Sequence, residues 1–128
     1  RMEIVSTSSG AVLPPTQASL SRVAAGSARI RQLPGDGNAL GRVKFLFPNE
    51  YAVYLHDTPA ASAFERARRD LSHGCIRLKD PVAMARHVLR GDPSWTDARM
   101  ADAMRRERPV TVALKDPIPV LIVYQTVV

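Results

Sequence analysis

The residues best suited to chemistry lie in the stretch Ser72-His73-Gly74-Cys75-Ile76-Arg77, which holds the single cysteine of this 128-residue chain. A thiol attacks an electrophile as its thiolate, and a nearby imidazole can accept the proton or stabilise the thiolate as imidazolium. One histidine precedes Cys75 by two positions, and His56 precedes it by nineteen. This pattern indicates a cysteine nucleophile, and the competing interpretation is a buried structural cysteine beside a turn.

Two further residues of this stretch suit an acyl-transfer site. Gly74 lets the backbone bend sharply and come close to a substrate carbonyl. Amide N–H groups around such a turn can stabilise the oxyanion of a tetrahedral intermediate. Arg77 carries a permanent charge with a fork geometry suited to a carboxylate.

The elements that must position these residues begin with a predicted β-hairpin. Apolar residues alternate over 43–47 and again over 51–56, and Pro48-Asn49-Glu50 supplies the turn. Because side chains alternate along a strand, Tyr54 and His56 lie on one face at the end of the second strand.

Helices are predicted on either side of the cysteine stretch. One begins near Pro59 and carries the chain to Leu71, with one apolar face. A second begins at Asp80-Pro81 and ends at Gly91, and a third runs from Thr96 or Asp97 to about Glu107 with Trp95 packed at its entrance.

The two ends of the chain complete the pattern. We expect a strand at Met2–Val5, a turn at 6–10 and a loop at 33–38, while residues 19–31 are mixed small and basic and show no strong pattern. Apolar, β-branched runs predict strands at Val110–Leu114 and Pro119–Val128. The chain as a whole, residues 1–128, is expected to be one α+β domain.

Composition narrows the possible partners. The formal charge is +6, but acidic residues are interspersed and few aromatic residues accompany the arginines, so nucleic acid is not the expected partner. A cationic surface suited to an anionic polymer or a carboxylate-bearing substrate fits the charge as well, and ordinary solvated helix faces would also account for it. The apolar runs are far shorter than the ~20 residues of a membrane span, and the start at Arg1 and Glu3 lacks a signal-peptide pattern.

The histidine, the variable interval and the closing S-H-G-C-I-R resemble the signature of the L,D-transpeptidase (YkuD-like) catalytic domain. The wider sequence over 34–78 resembles the large periplasmic branch of Gram-negative bacteria, in N-A-L-G-R-V-K-F, F-P-N and L-H-D-T-P. This resemblance covers roughly residues 30–128. It implies a mainly β domain with helices (α+β), a β-sandwich whose helices flank the active-site turn.

The resemblance also implies roles for individual residues. Cys75 would be the nucleophile and His56 the general base, while His73 would support the oxyanion site with Gly74 and the Cys75 amide. The substrate-binding positions implied are Tyr54, Asp57, Ser72, Gly74 and Arg77. The Asp57 carbonyl could fix the imidazole tautomer. No cofactor and no metal are implied.

The implied reaction is the cross-linking of peptidoglycan in the periplasm or cell envelope. The thiolate would attack the carbonyl of the L-centre of diaminopimelate in a tetrapeptide stem, release D-alanine and form a thioester. A diaminopimelate amine of another stem would then take the acyl group, which gives a 3-3 cross-link. Carbapenems would acylate the same cysteine.

Two alternatives and one departure remain. With water as acceptor the same thioester chemistry gives an L,D-carboxypeptidase. A different class, an inert metal-binding or cell-wall-binding domain, would use His56, His73 and Cys75 as zinc ligands, although zinc sites usually have tighter spacings. The family normally has further strands before Arg1, so we expect an N-terminally truncated domain with open sheet edges that favour association.

Overall fold

The computed structural model describes residues 1–72 and 74–123 and has the mixed α+β composition that the sequence predicts. In this part of the chain the strands form two sheets, in the orders β2-β1-β3 and β4-β5-β6. The elements in chain order are β1 Met2–Ser6, β2 Val12–Leu13, α1 Gln17–Ala24, β3 Ala28–Gln32, β4 Lys44–Phe45, β5 Leu55–His56, a 3₁₀ helix Ala61–Glu65, β6 Ile76–Arg77, α2 Pro81–Val88 and α3 Asp97–Arg105.

The first sheet is built around β1, which pairs antiparallel with both β2 and β3. Its core consists of β-branched and small side chains, and Ile4, Val5 and Ala28 are all buried. Burial of this kind stabilises a sheet by roughly 25 cal/mol for each Å² of apolar surface removed from water.

Residues 19–31 show no strong pattern in the sequence, and the structure forms α1 and β3 there. Thr16 caps α1, and its Oγ1 accepts a hydrogen bond from the Ser19 N–H at 3.3 Å. β3 then pairs along the whole length of β1, where Glu3 and Arg31 face each other as an ion pair. Both elements are short, so the hydrophobic pattern of the sequence indicates neither the helix nor the strand clearly.

The second sheet contains the predicted hairpin, but its strands are shorter than predicted. β4 pairs antiparallel with β5 over two residue pairs. The intervening loop is held by Asn49, whose Oδ1 accepts from the N–H groups of Tyr51 and Val53 at 3.1 and 3.0 Å, and whose Nδ2 donates to the Phe47 and Val53 carbonyls. These local bonds satisfy the backbone that a longer ladder would have used.

The segment between β5 and β6 is a 3₁₀ helix of five residues, not the helix predicted from Pro59 to Leu71. Ala60 stands at its N-terminus and supplies no side-chain cap, and Arg66 at its end is already extended, with ψ 144°. An apolar spacing without a cap is a weak helix signal, since helix nucleation is costly. The chain therefore continues in irregular form from Arg66 to the cysteine turn.

The helix predicted at Asp80-Pro81 is present as α2. The Asp80 side chain accepts from the Ala83 N–H at 2.8 Å, and Pro81 occupies the first helical position. The helix ends at Val88, earlier than the predicted Gly91, and the N–H of its C-cap Leu89 donates to the Ala85 carbonyl at 3.0 Å.

The helix predicted from Thr96 or Asp97 is present as α3. Thr96 caps it by accepting from the Arg99 N–H at 3.3 Å, and it ends at Arg105, two residues before the predicted Glu107. Trp95 stands at its entrance as predicted, with the Arg99 guanidinium 4.4 Å from the ring centroid. The helix buries Met100 and packs against α2, and an ion pair joins the two helices.

The two strands predicted for the C-terminal region are absent from its described part. Residues 106–123 contain no strand, and Leu121 is 86% exposed. A run that is apolar on both faces becomes a central strand only between two pairing partners, and the Pro117 and Pro119 nitrogens cannot donate to a ladder. The remainder of the predicted second strand, 124–128, lies outside the described residues.

Candidate active site

The candidate site is assembled by the parallel pairing of β5 with β6. Leu55 is the register partner of Ile76, and His56 is the partner of Arg77. The Ile76 N–H donates to the Tyr54 carbonyl at 3.0 Å, and the Leu78 N–H donates to the His56 carbonyl at 2.8 Å. This ladder joins the histidine strand to the cysteine stretch.

Alternation predicts one face for His56 and Arg77 and for the residues two positions before them, Tyr54 and Cys75, which directly precede β5 and β6. The rings of Tyr54 and His56 lie on the same side, with centroids 5.8 Å apart and planes tilted by 59°. Cys75 and Arg77 are also two positions apart, so they too share a face, and Arg77 is the register partner of His56. The phenol of Tyr54 neighbours both the imidazole of His56 and the thiol of Cys75.

The ring of His56 is held in a defined orientation. The residue is buried, at 5% exposure, and its Nδ1 lies 2.5 Å from the carbonyl oxygen of Asp57. A carbonyl oxygen can only accept a hydrogen bond, so Nδ1 carries the proton and Nε2 keeps its lone pair. An imidazole in this tautomer is prepared to accept a proton at Nε2.

The side chain of Asp57 is engaged by the main chain. Its Oδ2 accepts from the Arg42 N–H at 2.8 Å, and its Oδ1 accepts from the Thr58 N–H at 2.7 Å. The sequence-based assignment of Asp57 to substrate binding stays a prediction, and these bonds describe a carboxylate directed at the turn before β4. Gly41 in that turn was missed; a glycine just before a predicted strand is the signal that could have found it.

The cysteine lies on a turn that Ser72 holds. The Ser72 Oγ donates to the Cys75 carbonyl at 2.8 Å and accepts from the Gly74 N–H at 3.3 Å. Gly74 has φ +132°, a backbone conformation that favours glycine. Cys75 is a half-buried free thiol. His73, predicted to support the oxyanion site, lies outside the described residues.

An open cavity of about 280 Å³ lies against the thiol. Its polar lining includes Ser72, Arg69 and Arg77, and its apolar lining includes Phe64 and Leu71. The Arg77 Nη2 donates to the Leu71 carbonyl at 3.2 Å, while its buried Nε has no partner among the described residues. The cavity thus combines apolar walls with positive charge, which suits a peptide that carries a carboxylate.

Tyr54 is the site residue whose titration is altered. Burial raises the pKa of the Tyr54 phenol above its usual value of 10.0, and the hydrogen bond and charge of Cys75 raise it further. The phenol therefore stays protonated through the neutral range and can donate toward the sulfur.

Residues 1–72 and 74–123 contain no group of three His, Cys, Asp or Glu side chains that could hold a metal ion. The metal-binding alternative therefore has no support from these residues. His73, one of the three ligands in that interpretation, is not among those residues. Of the helices that the structure describes, none combines the length and apolar character needed to cross a bilayer.

This fold and site define an α+β domain with a thiol and an imidazole on paired strands, and comparison with known proteins identifies the family. The model of the YkuD family, the L,D-transpeptidase catalytic domain, matches residues 4–112. The chain belongs to this family, which confirms the resemblance seen in the sequence. The match begins well before residue 30, so the first sheet is part of the family domain.

A curated relative agrees with the family assignment. The chain is 36% identical over 98 residues to a Haemophilus influenzae protein named "Putative L,D-transpeptidase". The aligned residues make up 77% of this chain and 20% of the relative, so the match spans about a fifth of that protein's length.

Proposed function

We propose that this domain is a peptidoglycan L,D-transpeptidase that works through a thioester on Cys75. The observation that supports the proposal most is the pairing of β5 with β6, which makes His56 the register partner of Arg77, together with the Tyr54 phenol that neighbours both the His56 ring and the Cys75 thiol. Membership of the YkuD family and the name of the Haemophilus relative support the same conclusion.

In the acylation step, Cys75 is the nucleophile and His56 the base. Nε2 of His56 takes the thiol proton, and the thiolate attacks the carbonyl carbon at the L-centre of diaminopimelate in a tetrapeptide stem. The resulting tetrahedral oxyanion collapses as the C–N bond to D-alanine breaks. The imidazolium returns the proton to the departing amine, and the stem remains bound as a thioester.

In the second step, a diaminopimelate amine of another stem attacks the thioester carbonyl. Nε2 of His56 accepts a proton from this amine, a new amide forms, and the Cys75 thiolate leaves. The product is a 3-3 cross-link, and the imidazolium of His56 returns its proton to the Cys75 thiolate, which restores the neutral imidazole and the thiol. Water in place of the amine would give the alternative L,D-carboxypeptidase reaction and release a tripeptide.

The neighbouring residues have supporting roles in this proposal. Ser72 holds the turn, and because the Gly74 N–H is directed at the Ser72 Oγ, the Cys75 N–H is the better placed oxyanion donor. Tyr54 donates toward the sulfur, and Arg77 attracts a carboxylate of the donor stem into the cavity. His73 is proposed as a further support of the oxyanion.

The substrates place the activity in the cell envelope, and for a Gram-negative cell in the periplasm. The partners are then a tetrapeptide donor stem and a diaminopimelate amine acceptor. The formal charge of +6 favours association with an anionic polymer by raising its local concentration.

The test is incubation of the purified chain with tetrapeptide muropeptides, followed by separation and mass measurement of the products. Cross-linked dimers that have lost D-alanine support transpeptidation. Tripeptide monomers alone would establish the carboxypeptidase reaction, and unchanged tetrapeptides would contradict both.

Acylation can be tested separately with a carbapenem and intact-protein mass measurement. We expect Cys75→Ala to form no adduct and His56→Gln to form it at least about a hundredfold more slowly, as loss of a general base commonly costs 10²–10⁴-fold. His87→Gln is the matched control, because His87 is an exposed histidine on α2. An adduct on Cys75→Ala would remove the thiol from the mechanism.

The zinc-binding alternative is decided by elemental analysis of the same preparation. Stoichiometric zinc that is lost in Cys75→Ala would favour a metal site over the thioester mechanism. Absence of zinc from active protein would exclude that alternative.

A further inference from the structure

We propose that the Asp57 side chain is a positioning residue that sets the His56 tautomer, and that Gly41 is the backbone position that admits it. The proposal goes beyond the roles inferred above, in which only the main-chain carbonyl of Asp57 contacts the imidazole. Its kinetic consequence rests on the proposed function, whereas its structural claim does not.

All the polar groups of Asp57 are engaged at once. The N–H donates to the Val43 carbonyl at 2.9 Å, and the carbonyl accepts from Nδ1 of His56. The two carboxylate oxygens accept from the N–H groups of Arg42 and Thr58. The carbonyl and the Thr58 N–H belong to one peptide, so rotation of that peptide would break the bond to Nδ1 and the Thr58 bond to Oδ1 together, each worth about 1 kcal/mol, while the Arg42 bond to Oδ2 anchors the carboxylate that holds the Thr58 N–H.

Gly41 permits this arrangement because the carboxylate occupies the space where a Cβ would lie. A Cβ built on Gly41 would overlap the Asp57 side chain. Gly41 also has φ +63°, in the left-handed region that favours glycine. Close approach and backbone conformation thus both require glycine, and the turn delivers the Arg42 N–H to the carboxylate.

The consequence reaches His56 through the carbonyl. With the carbonyl fixed, Nδ1–H has a permanent acceptor, and the lone pair stays on Nε2, where a base needs it. Without the carboxylate bonds the carbonyl can turn away, and both tautomers become accessible. A base in the wrong tautomer cannot take the thiol proton.

The direct test is the tautomer of His56, read by long-range ¹H–¹⁵N NMR above the ordinary titration range of histidine. The signal is assigned by its loss in His56→Gln. We expect Nδ1 protonation in the wild type, a mixture of tautomers in Asp57→Ala, and a smaller shift in Asp57→Asn, which keeps one acceptor oxygen. An unchanged Nδ1–H tautomer in either folded variant would overturn the proposal.

A pair of glycine variants separates the close approach from backbone strain. Gly41→Ala and Gly26→Ala impose similar left-handed strain, at φ +63° and +74°, but nothing lies within 4 Å of a Cβ on Gly26. We expect only Gly41→Ala to shift the tautomer, with circular dichroism confirming that both fold. Equal behaviour of the two would contradict the role of Gly41, and if Gly41→Ala does not fold, Asp57→Asn carries the test.

The kinetic readout is the rate of carbapenem acylation measured on the same variants. We expect Asp57→Ala to slow acylation by about tenfold or more, a part of the 10²–10⁴-fold that a general base contributes. A shifted tautomer without slower acylation would contradict the base role of His56 and so the proposed mechanism. An unshifted tautomer would contradict the positioning role alone, so the two failures are distinguishable.

Discussion

His56 and Arg77 are register partners in the parallel pairing of β5 with β6, and this relationship determines which side chains meet at the site. A slip of one residue would move Cys75 and Arg77 to the opposite face from the imidazole, because side chains alternate along a strand. The ladder bonds from Ile76 to Tyr54 and from Leu78 to His56 hold this register.

Arg77→Ala is expected to weaken the binding of donor stems that carry a free carboxylate. The change removes a charge from the cavity wall and leaves the Leu71 carbonyl without its donor. A hydrogen bond to a charged group contributes about 1.5–3 kcal/mol, so KM for a tetrapeptide should rise by roughly ten- to a hundredfold. The KM is measured in an acylation assay with matched carboxylate and carboxamide donors.

Arg77→Lys and Arg29→Ala complete the Arg77 experiment. Lysine keeps the charge but lacks the fork, so an intermediate KM is expected. Arg29 is an exposed cation on β3, and its removal controls for net charge. If Arg77→Ala raises KM equally for the carboxylate and the carboxamide donors, the guanidinium does not bind the carboxylate.

The local parts of this fold were predictable from sequence, since their signals lie within a few residues of one another. Asp80 and Thr96 cap α2 and α3 at the predicted positions, and the hairpin of β4 and β5 lies where alternation placed it. The placement of Tyr54 and His56 on one face also followed from alternation, and their rings are neighbours.

The non-local parts could not be predicted from local pattern. Nothing in the residues around His56 specifies that β5 pairs parallel with β6, because that pairing depends on the whole chain between them. The same reasoning explains Val110–Leu114, whose β-branched residues favour a strand but find no described partner. Gly41 escaped notice because its requirement arises from Asp57, which is distant in sequence.

The pKa of Tyr54 provides a second prediction. Spectrophotometric titration should find a phenol that ionises above the usual 10.0, and Tyr54→Phe should remove that step. In Cys75→Ala the pKa should fall toward the usual value without reaching it, because burial, the larger cause, remains. A phenol with a raised pKa stabilises the folded state below the unfolded pKa, and this contribution is lost as the pH rises through the folded pKa.

The Tyr54 prediction has a clear contrary result. If Cys75→Ala leaves the raised pKa of the Tyr54 phenol unchanged, the thiol is not a neighbour of that phenol. Unfolding midpoints of wild type and Tyr54→Phe, measured from pH 8 to 11, should converge only at the alkaline end.

Ser72→Ala is expected to slow acylation and to lower the thermal midpoint only slightly. The hydroxyl makes two hydrogen bonds within the cysteine turn, to the Cys75 carbonyl and from the Gly74 N–H. Each is worth about 0.5–1.5 kcal/mol, and both lie at the reacting residue. Carbapenem acylation rate and thermal midpoint are measured together. Ser94→Ala, which removes a comparable bond to Asp92 away from the site, should lower the midpoint similarly and leave acylation unchanged.

The ion pair between Arg86 on α2 and Asp97 on α3 predicts a dependence of stability on acid. The hydrogen bond from Arg86 holds the pKa of the Asp97 carboxyl below its usual 3.8. A depressed carboxyl pKa contributes stability above the unfolded value, and that stability is lost as the pH falls through the folded value. Thermal midpoints of wild type and Arg86→Gln should therefore differ at pH 6 and converge near pH 2.

A matched pair on the same chain separates the contact between helices from charge alone. Arg68 and Asp70 also form an ion pair that lowers the pKa of the acid, but they are two residues apart and join no helices. Arg68→Gln removes the same charge, so its effect on the midpoint at pH 6 should be smaller than that of Arg86→Gln. Because both pairs are solvent-exposed, 1 M salt should reduce both differences. Equal effects of the two variants would mean that the Arg86–Asp97 pair does not help to hold α2 against α3.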